Sequence, residues 1–146
     1  MAIRKIVKGG DPILRQKSRP VEKFDQRLAM LIDDLAHTMR VADGCGLAAV
    51  QVGVLRRVAV IDTGDGLIEM VNPEVIGHSG RQRQEEGCLS FPGERAHTIR
   101  PMVVKIKAQN RHGKWFIFKA SDLKARAFLH EVDHMDGIVF KDRVRG

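Results

Sequence analysis

The chain is expected to fold as an α+β protein: short, largely antiparallel strands around a buried C-terminal HExxH helix, with an N-terminal amphipathic helix. Three observations predict this. Apolar residues recur at helical spacing near both ends of the chain, and between them the pattern switches to period two. The resulting order is helix, several strands, helix. Without βαβ alternation, that order favours an antiparallel sheet.

The first helix is read from Phe24, Leu28, Leu31, Ile32, Leu35 and Met39, with Asp25 as its start signal and Gly44 as its stop. Arg57–Ile61 and Ile68–Val71 read as strands. In Val104–Ala108 apolar and polar residues alternate, and Asn110–Gly113 turns into Trp115–Phe118, which predicts a hairpin. Helical spacing returns after Ser121 or Asp122, either a fair N-cap, and runs to a stop at Gly137. Two apolar stripes mark this last helix as buried. One holds Leu123, Ala127, His130 and His134, the other Ala125, Phe128, Val132 and Met135. Lys124, Arg126, Asp133 and Asp136 are left for the polar side.

Bulk properties set limits on function. A chain of 146 residues is expected to form a single domain, 1–146, long enough to bury roughly 70% of its unfolded surface without disulfide staples. Apolar residues at 43% and charged residues at 29% exclude disorder and fibrous repeats. Only Cys45 and Cys88 are present, and neither a signal peptide nor a membrane-spanning run is seen, so a cytoplasmic location is expected. The net charge of +7 reads as a solvated basic surface, because the basic residues are scattered and tyrosine is absent, leaving no stacking platform.

His130-Glu131-Val132-Asp133-His134 is an HExxH motif. Residues i and i+4 share a helix face, so both imidazoles can converge on one metal ion, with Glu131 beside them. A catalytic site usually needs a third protein ligand and an open position. HExxHxxG continues to Phe140, where a metzincin pattern requires histidine, and no Glu, His or Cys follows His134. The third ligand therefore lies upstream, among Cys88, Cys45, His37, His78, His97, His112, Glu85 and Glu86. Cys88 in Glu86-Gly87-Cys88-Leu89-Ser90 is the best of these, with Gly87 allowing close approach and Pro92 ending the segment; spacing alone does not choose. The stretch Gly44 to Gln51 contains GxGxxA, but it follows a helix and leads toward strands, so the dinucleotide-binding reading is rejected. Its glycines offer backbone that a peptide-like ligand can approach, with Gln51 delivered beside it.

Taken in order, Gly44-Cys45-Gly46-Leu47-Ala48-Ala49-Val50-Gln51, Glu86-Gly87-Cys88-Leu89-Ser90 and His130-Glu131-Val132-Asp133-His134 resemble the three motifs of the peptide deformylase family, GxGLAAxQ, EGCLS and HExDH. The likeness extends to Asp11-Pro12-Ile13-Leu14-Arg15 and Asn72-Pro73, so it spans most of the chain. The resemblance implies a metal-dependent hydrolase that removes the N-formyl group from the formyl-methionine of newly synthesised polypeptides and releases formate. It resolves the ligands as Cys88, His130 and His134 with a water in the fourth position as nucleophile. It makes Glu131 the general acid/base and Gln51 and the Leu89 N–H the oxyanion donors. Gly44, Cys45, Gly46 and Arg95 fall at substrate-binding positions. The implied cofactor is one divalent metal ion per chain, natively Fe²⁺, with Zn²⁺, Ni²⁺ or Co²⁺ able to substitute. The implied partners are N-formyl-methionyl nascent peptides, with any transient ribosome contact made without the C-terminal extension of longer members. No membrane partner is implied, and a monomer is expected. Leu129 departs from the glutamine common at that position. Three rivals rank below this reading: a zincin-type peptidase, a cysteine hydrolase using Cys88 and His130, and a basic RNA-binding module without catalysis.

Overall fold

The computed structural model describes residues 2–144. The first helix begins where its capping residue predicts. The Asp25 carboxylate accepts the Leu28 N–H at 3.0 Å, opening α1 (Gln26–Val41). Its end differs from expectation, because Asp43, not Gly44, takes the left-handed conformation, at φ 58°. Asp43 N–H bonds the Arg40 carbonyl and Gly44 N–H the Met39 carbonyl, the paired bonds of a Schellman ending. Aspartate tolerates that conformation, and Gly44 is reserved for packing: a Cβ there would lie 2.7 Å from the Leu89 side chain.

After α1 come β1 (Gly46–Ala48), a 3₁₀ turn (Ala49–Val52), β2 (Val58–Ile61) and β3 (Ile68–Ser79). These are followed by β4 (Gln82–Cys88), β5 (Phe91–Arg100), β6 (Val103–Gln109), β7 (Trp115–Ser121) and α2 (Asp122–Met135). Further 3₁₀ turns lie at Pro12–Arg15 and Phe140–Arg143. Five strands form one sheet in the order β1-β2-β3-β6-β7, and β4-β5 form a separate ribbon. Every strand pair is antiparallel. The α+β architecture with an antiparallel sheet and two helices is thus as predicted.

The uninterrupted apolar run of β2 has a simple cause. Val58 and Val60 pack with Leu28, Leu31, Ile32, Leu35 and Met39 of α1. Ala59 and Ile61 pack with Ala125, Phe128 and Met135 of α2. A strand covered by a helix on each face has no solvent side to make polar, and each buried Val or Ile contributes about 1.5–3 kcal/mol. A third cluster, Leu14, Phe91, Val139 and Phe140, ties the first 3₁₀ turn to β5 and the C-terminal segment.

Three parts of the strand reading are corrected. β3 runs on past Val71 to Ser79, with Asn72-Pro73 absorbed as an irregularity in its register. Asn72 sits at φ 51° and its side chain binds both the N–H and the C=O of Val21, tethering the segment ahead of α1. The β4–β5 ribbon and β1 were not anticipated, since ribbon residues are polar at most positions and show no apolar alternation. Pro92 lies inside β5 instead of ending the segment. Gly137 does close α2 as expected, at φ 74°, where a Cβ would meet the Arg15 carbonyl oxygen at 2.5 Å.

Candidate functional site

α2 carries His130 and His134 on one face, with their Nε2 atoms 3.2 Å apart. Cys88 ends β4, and its Sγ lies 3.3 Å from His134 Nε2. All three donor atoms fall within 4.8 Å of one another, and both imidazoles are buried. Tetrahedral bonds of about 2.0–2.3 Å place neighbouring donors roughly 3.3–3.6 Å apart, so this soft-plus-imidazole set is already spaced to take a transition-metal ion. Of the other upstream candidates, Cys45, His37, His78, His97 and His112 are not part of this cluster.

Glu86 is the ligand candidate that proves to have a different place. Two residues before Cys88 on β4, its Oε1 lies 2.6 Å from His130 Nδ1. Arg100 grips the same carboxylate twice, through Nη2 at 2.7 Å and Nε at 2.9 Å, and the Thr98 hydroxyl donates to it at 2.7 Å. Burial works to raise the Glu86 pKa, but the hydrogen bonds from His130 and Arg100 hold it well below the usual carboxylate range. An ionised carboxylate only accepts, so His130 Nδ1 carries the proton and its Nε2 lone pair is turned into the donor cluster. Burial pushes the His134 pKa well below the ordinary value, keeping that ring neutral.

Arg100 also donates to Asp133 at 2.9 Å, and Asp133 is held again by Arg143. Asp133 was expected on the polar side of α2; it is instead 7% exposed and part of this buried network. Leu123 departs in the other direction. It was assigned to a buried stripe but is 46% exposed, because the first turn of α2 projects into the cleft.

Gln51 is oriented by local geometry. It is the third residue of the turn Ala49–Val52, and its Oε1 accepts the Ala48 N–H at 3.0 Å. That bond fixes which way the amide faces: Nε2 points to Ser90 Oγ at 3.2 Å and Cys88 Sγ at 3.5 Å. Glu131 is 3% exposed, and its Oε1 has no hydrogen-bond partner among the described residues. Burial pushes its pKa up to about 7; a cation in the adjoining donor cluster would draw it back down. The other face of the carboxylate rests on β1, where a Cβ at Gly46 would lie 2.5 Å from Glu131 Oε2.

A cleft of about 840 Å³ opens onto these groups. Gly44, Cys45, Gly46, Leu89, Arg95 and Glu131 line it, and Gln51, Cys88 and His130 reach it as well. His134 lies behind it, fully buried. Leu89 occupies the two-residue turn between β4 and β5, and Arg95 pairs with Glu85 at the rim. The structure therefore gathers Gly44, Cys45, Gly46, Gln51, Cys88, Leu89, Arg95, His130, Glu131 and His134 in or directly behind one cleft, whereas His37, His78, His97 and His112 do not line it. The sequence reading missed Glu86 as a partner of His130 and Arg100 as the group that joins Glu86 to Asp133. The available signal was Glu86 at i−2 from Cys88, on the same face of a strand.

Comparison with known proteins gives one consistent answer. The profile of the polypeptide deformylase family matches residues 3–146. A peptide deformylase of Alkaliphilus metalliredigens is 51% identical over 99% of this chain and 98% of its own length. One from Caldicellulosiruptor bescii is 54% identical over 99% of this chain and 87% of its own. The crystal structure of peptide deformylase from Thermotoga maritima superposes with a TM-score of 0.98 at 38% identity, covering 100% of both chains.

Proposed function

This chain belongs to the polypeptide deformylase family, and from that premise we propose that it hydrolyses the formamide bond of N-formyl-methionyl nascent peptides with the residues gathered in the cleft. The observation that carries the reading is the convergence of Cys88 Sγ, His130 Nε2 and His134 Nε2 beside a buried Glu131 carboxylate whose Oε1 has no partner among the described residues. Cys88, His130 and His134 would hold one divalent ion, natively Fe²⁺, in the bacterial cytoplasm. When bound, such an ion supplies Lewis acidity, polarising water and the formyl carbonyl.

The chain's own groups carry the rest. β1 is an edge strand of the sheet, so the substrate backbone can add along it at Gly46. Cys45 and Gly44 border the methionine side chain, and Arg95 borders the peptide beyond. The Gln51 Nε2–H and the Leu89 N–H donate to the formyl oxygen as negative charge develops there. Glu131 takes a proton from the attacking water and returns it to the departing nitrogen, because an amine leaves poorly unless protonated. The products are formate and the free amino terminus.

The direct test is formate release from formyl-Met-Ala-Ser by anaerobically purified protein, with metal counted in the same sample. Turnover lost on chelation and restored by Fe²⁺ or Ni²⁺ is expected. A metal-loaded protein that cleaves unblocked peptides and releases no formate would move the peptidase reading to first place.

Three further outcomes follow from the same site. Cys88→Ala should weaken metal binding, read as metal retained after gel filtration. With iron in place, activity should decay faster under air than under argon, since the thiolate and Fe²⁺ are both oxidisable. Gly46→Ala places a methyl group against Glu131 Oε2. It should retain metal while lowering kcat, because the displaced group is the proton carrier and not a ligand.

A further inference from the structure

One half of the sheet is left open on the side that α1 covers elsewhere. α1 packs on Leu47, Val58, Val60 and Val71. The β3–β6 register places Gln109 opposite Val71, so Gln109, Lys107 and Lys105 continue the same face. On β7, Trp115, Ile117 and Lys119 stand opposite them in register. Nothing among the described residues covers this part: Trp115 is 49% exposed and Ile117 59%. No residue of β6 or β7 lines the cleft.

The charge on this face is one-sided. Lys105 and Lys119 are directly opposite each other, a like-charge pair that costs stability in the isolated protein. Lys107 Nζ sits 4.7 Å from the centre of the Trp115 ring. Among the described residues, none of the three lysines has a carboxylate within ion-pair distance. The one acidic residue across from them in register is Glu74, opposite Lys107. Residues at i and i+2 on a strand are about 6.6 Å apart, comparable to successive phosphates of an extended single strand. An exposed indole among amines at that spacing offers a base a stacking surface and its phosphates counter-charges.

We infer that the open face of β6 and β7, with Trp115 flanked by Lys105, Lys107 and Lys119, docks single-stranded RNA. Trp115 stacks on a base, and the lysines neutralise the backbone. This surface is separate from the cleft and independent of the chemistry proposed there.

The chain's single tryptophan and its lack of tyrosine make the test direct, because intrinsic fluorescence reports on this face alone. The full-length protein is titrated with an oligouridylate of about a dozen nucleotides. Saturable quenching of Trp115 is expected, with a log–log salt slope of about −2 for three amines. Lys105→Glu/Lys119→Glu should weaken binding at least tenfold without changing formate release. Trp115→Ala, followed with labelled RNA, should weaken it about tenfold. Lys17→Glu/Lys23→Glu makes the same charge change at exposed lysines elsewhere and should leave affinity within about twofold. Three results would overturn the inference: RNA binding without quenching, equal loss in the Lys17/Lys23 variant, or equal quenching by polyglutamate, which would mark the partner as an acidic protein.

Discussion

Glu131→Gln is expected to keep its metal ion while formate release falls by about 10²–10⁴-fold, the usual contribution of a positioned general acid/base. The substitution preserves shape. Glutamine fits the space between α2 and Gly46, and His130 and His134 on either side of it keep their rings and partners. What is lost is the capacity to accept and release a proton at one atom. Glu131 suits that task because it is buried beside the donor cluster and lacks a hydrogen-bond partner at Oε1 among the described residues. Metal content and kcat measured on the same preparation separate the outcomes. Loss of metal would make Glu131 a structural support of the site, and near-normal turnover would remove it from the chemistry.

Arg100→Met is expected to destabilise the fold by about 3–5 kcal/mol, the range for breaking a buried ion pair by removing one partner. Arg100 has only 3% of its side chain exposed and is shared between Glu86 and Asp133. Removing it takes the guanidinium from the largely buried Glu86 carboxylate and leaves Asp133 with Arg143 alone. The Glu86 side chain then loses the group that holds it against His130 Nδ1, so metal affinity should fall together with stability. Partners of metal-binding histidines commonly change affinity by 10–100-fold. Denaturant midpoints of the apo protein measure the first effect, and metal competition the second. Arg100→Lys retains the charge but cannot bridge both carboxylates, and it should recover part of the stability. A midpoint unchanged in Arg100→Met would show that the network is not a source of stability.

These two variants divide the site along the line between what could and could not be read in advance. His130, Glu131 and His134 lie within five consecutive residues on one helix, so the geometry that unites them is local and legible as a spacing. Cys88 and Gln51 are brought in by long-range folding, and only the ordered likeness of three motifs linked them to the helix. Arg100 lies outside all three motifs, and Glu86 opens the second without any sign there of its partners. They meet because β4 and β5 pair in a polar ribbon whose strands show no apolar alternation. The basic surface followed the same rule: Lys105, Lys107, Lys119 and Trp115 look scattered in the chain but become neighbours once β6 and β7 pair in register.

By itself, the sequence determined the features written in short-range patterns. These were the Asp25 cap and apolar face of α1, the β6–β7 hairpin around Asn110–Gly113, the buried α2 with its two histidines, and the family the chain belongs to. Tertiary structure alone decided the rest. It placed Gly44 and Gly46 against Leu89 and Glu131, turned Asp133 inward to Arg100, and left one half of the sheet without a covering helix. The physical reason is range. Helical and strand periodicities act over a few residues and are visible in order along the chain. Close packing and buried ion pairs depend on which distant segments meet, and that is settled only when the whole core forms.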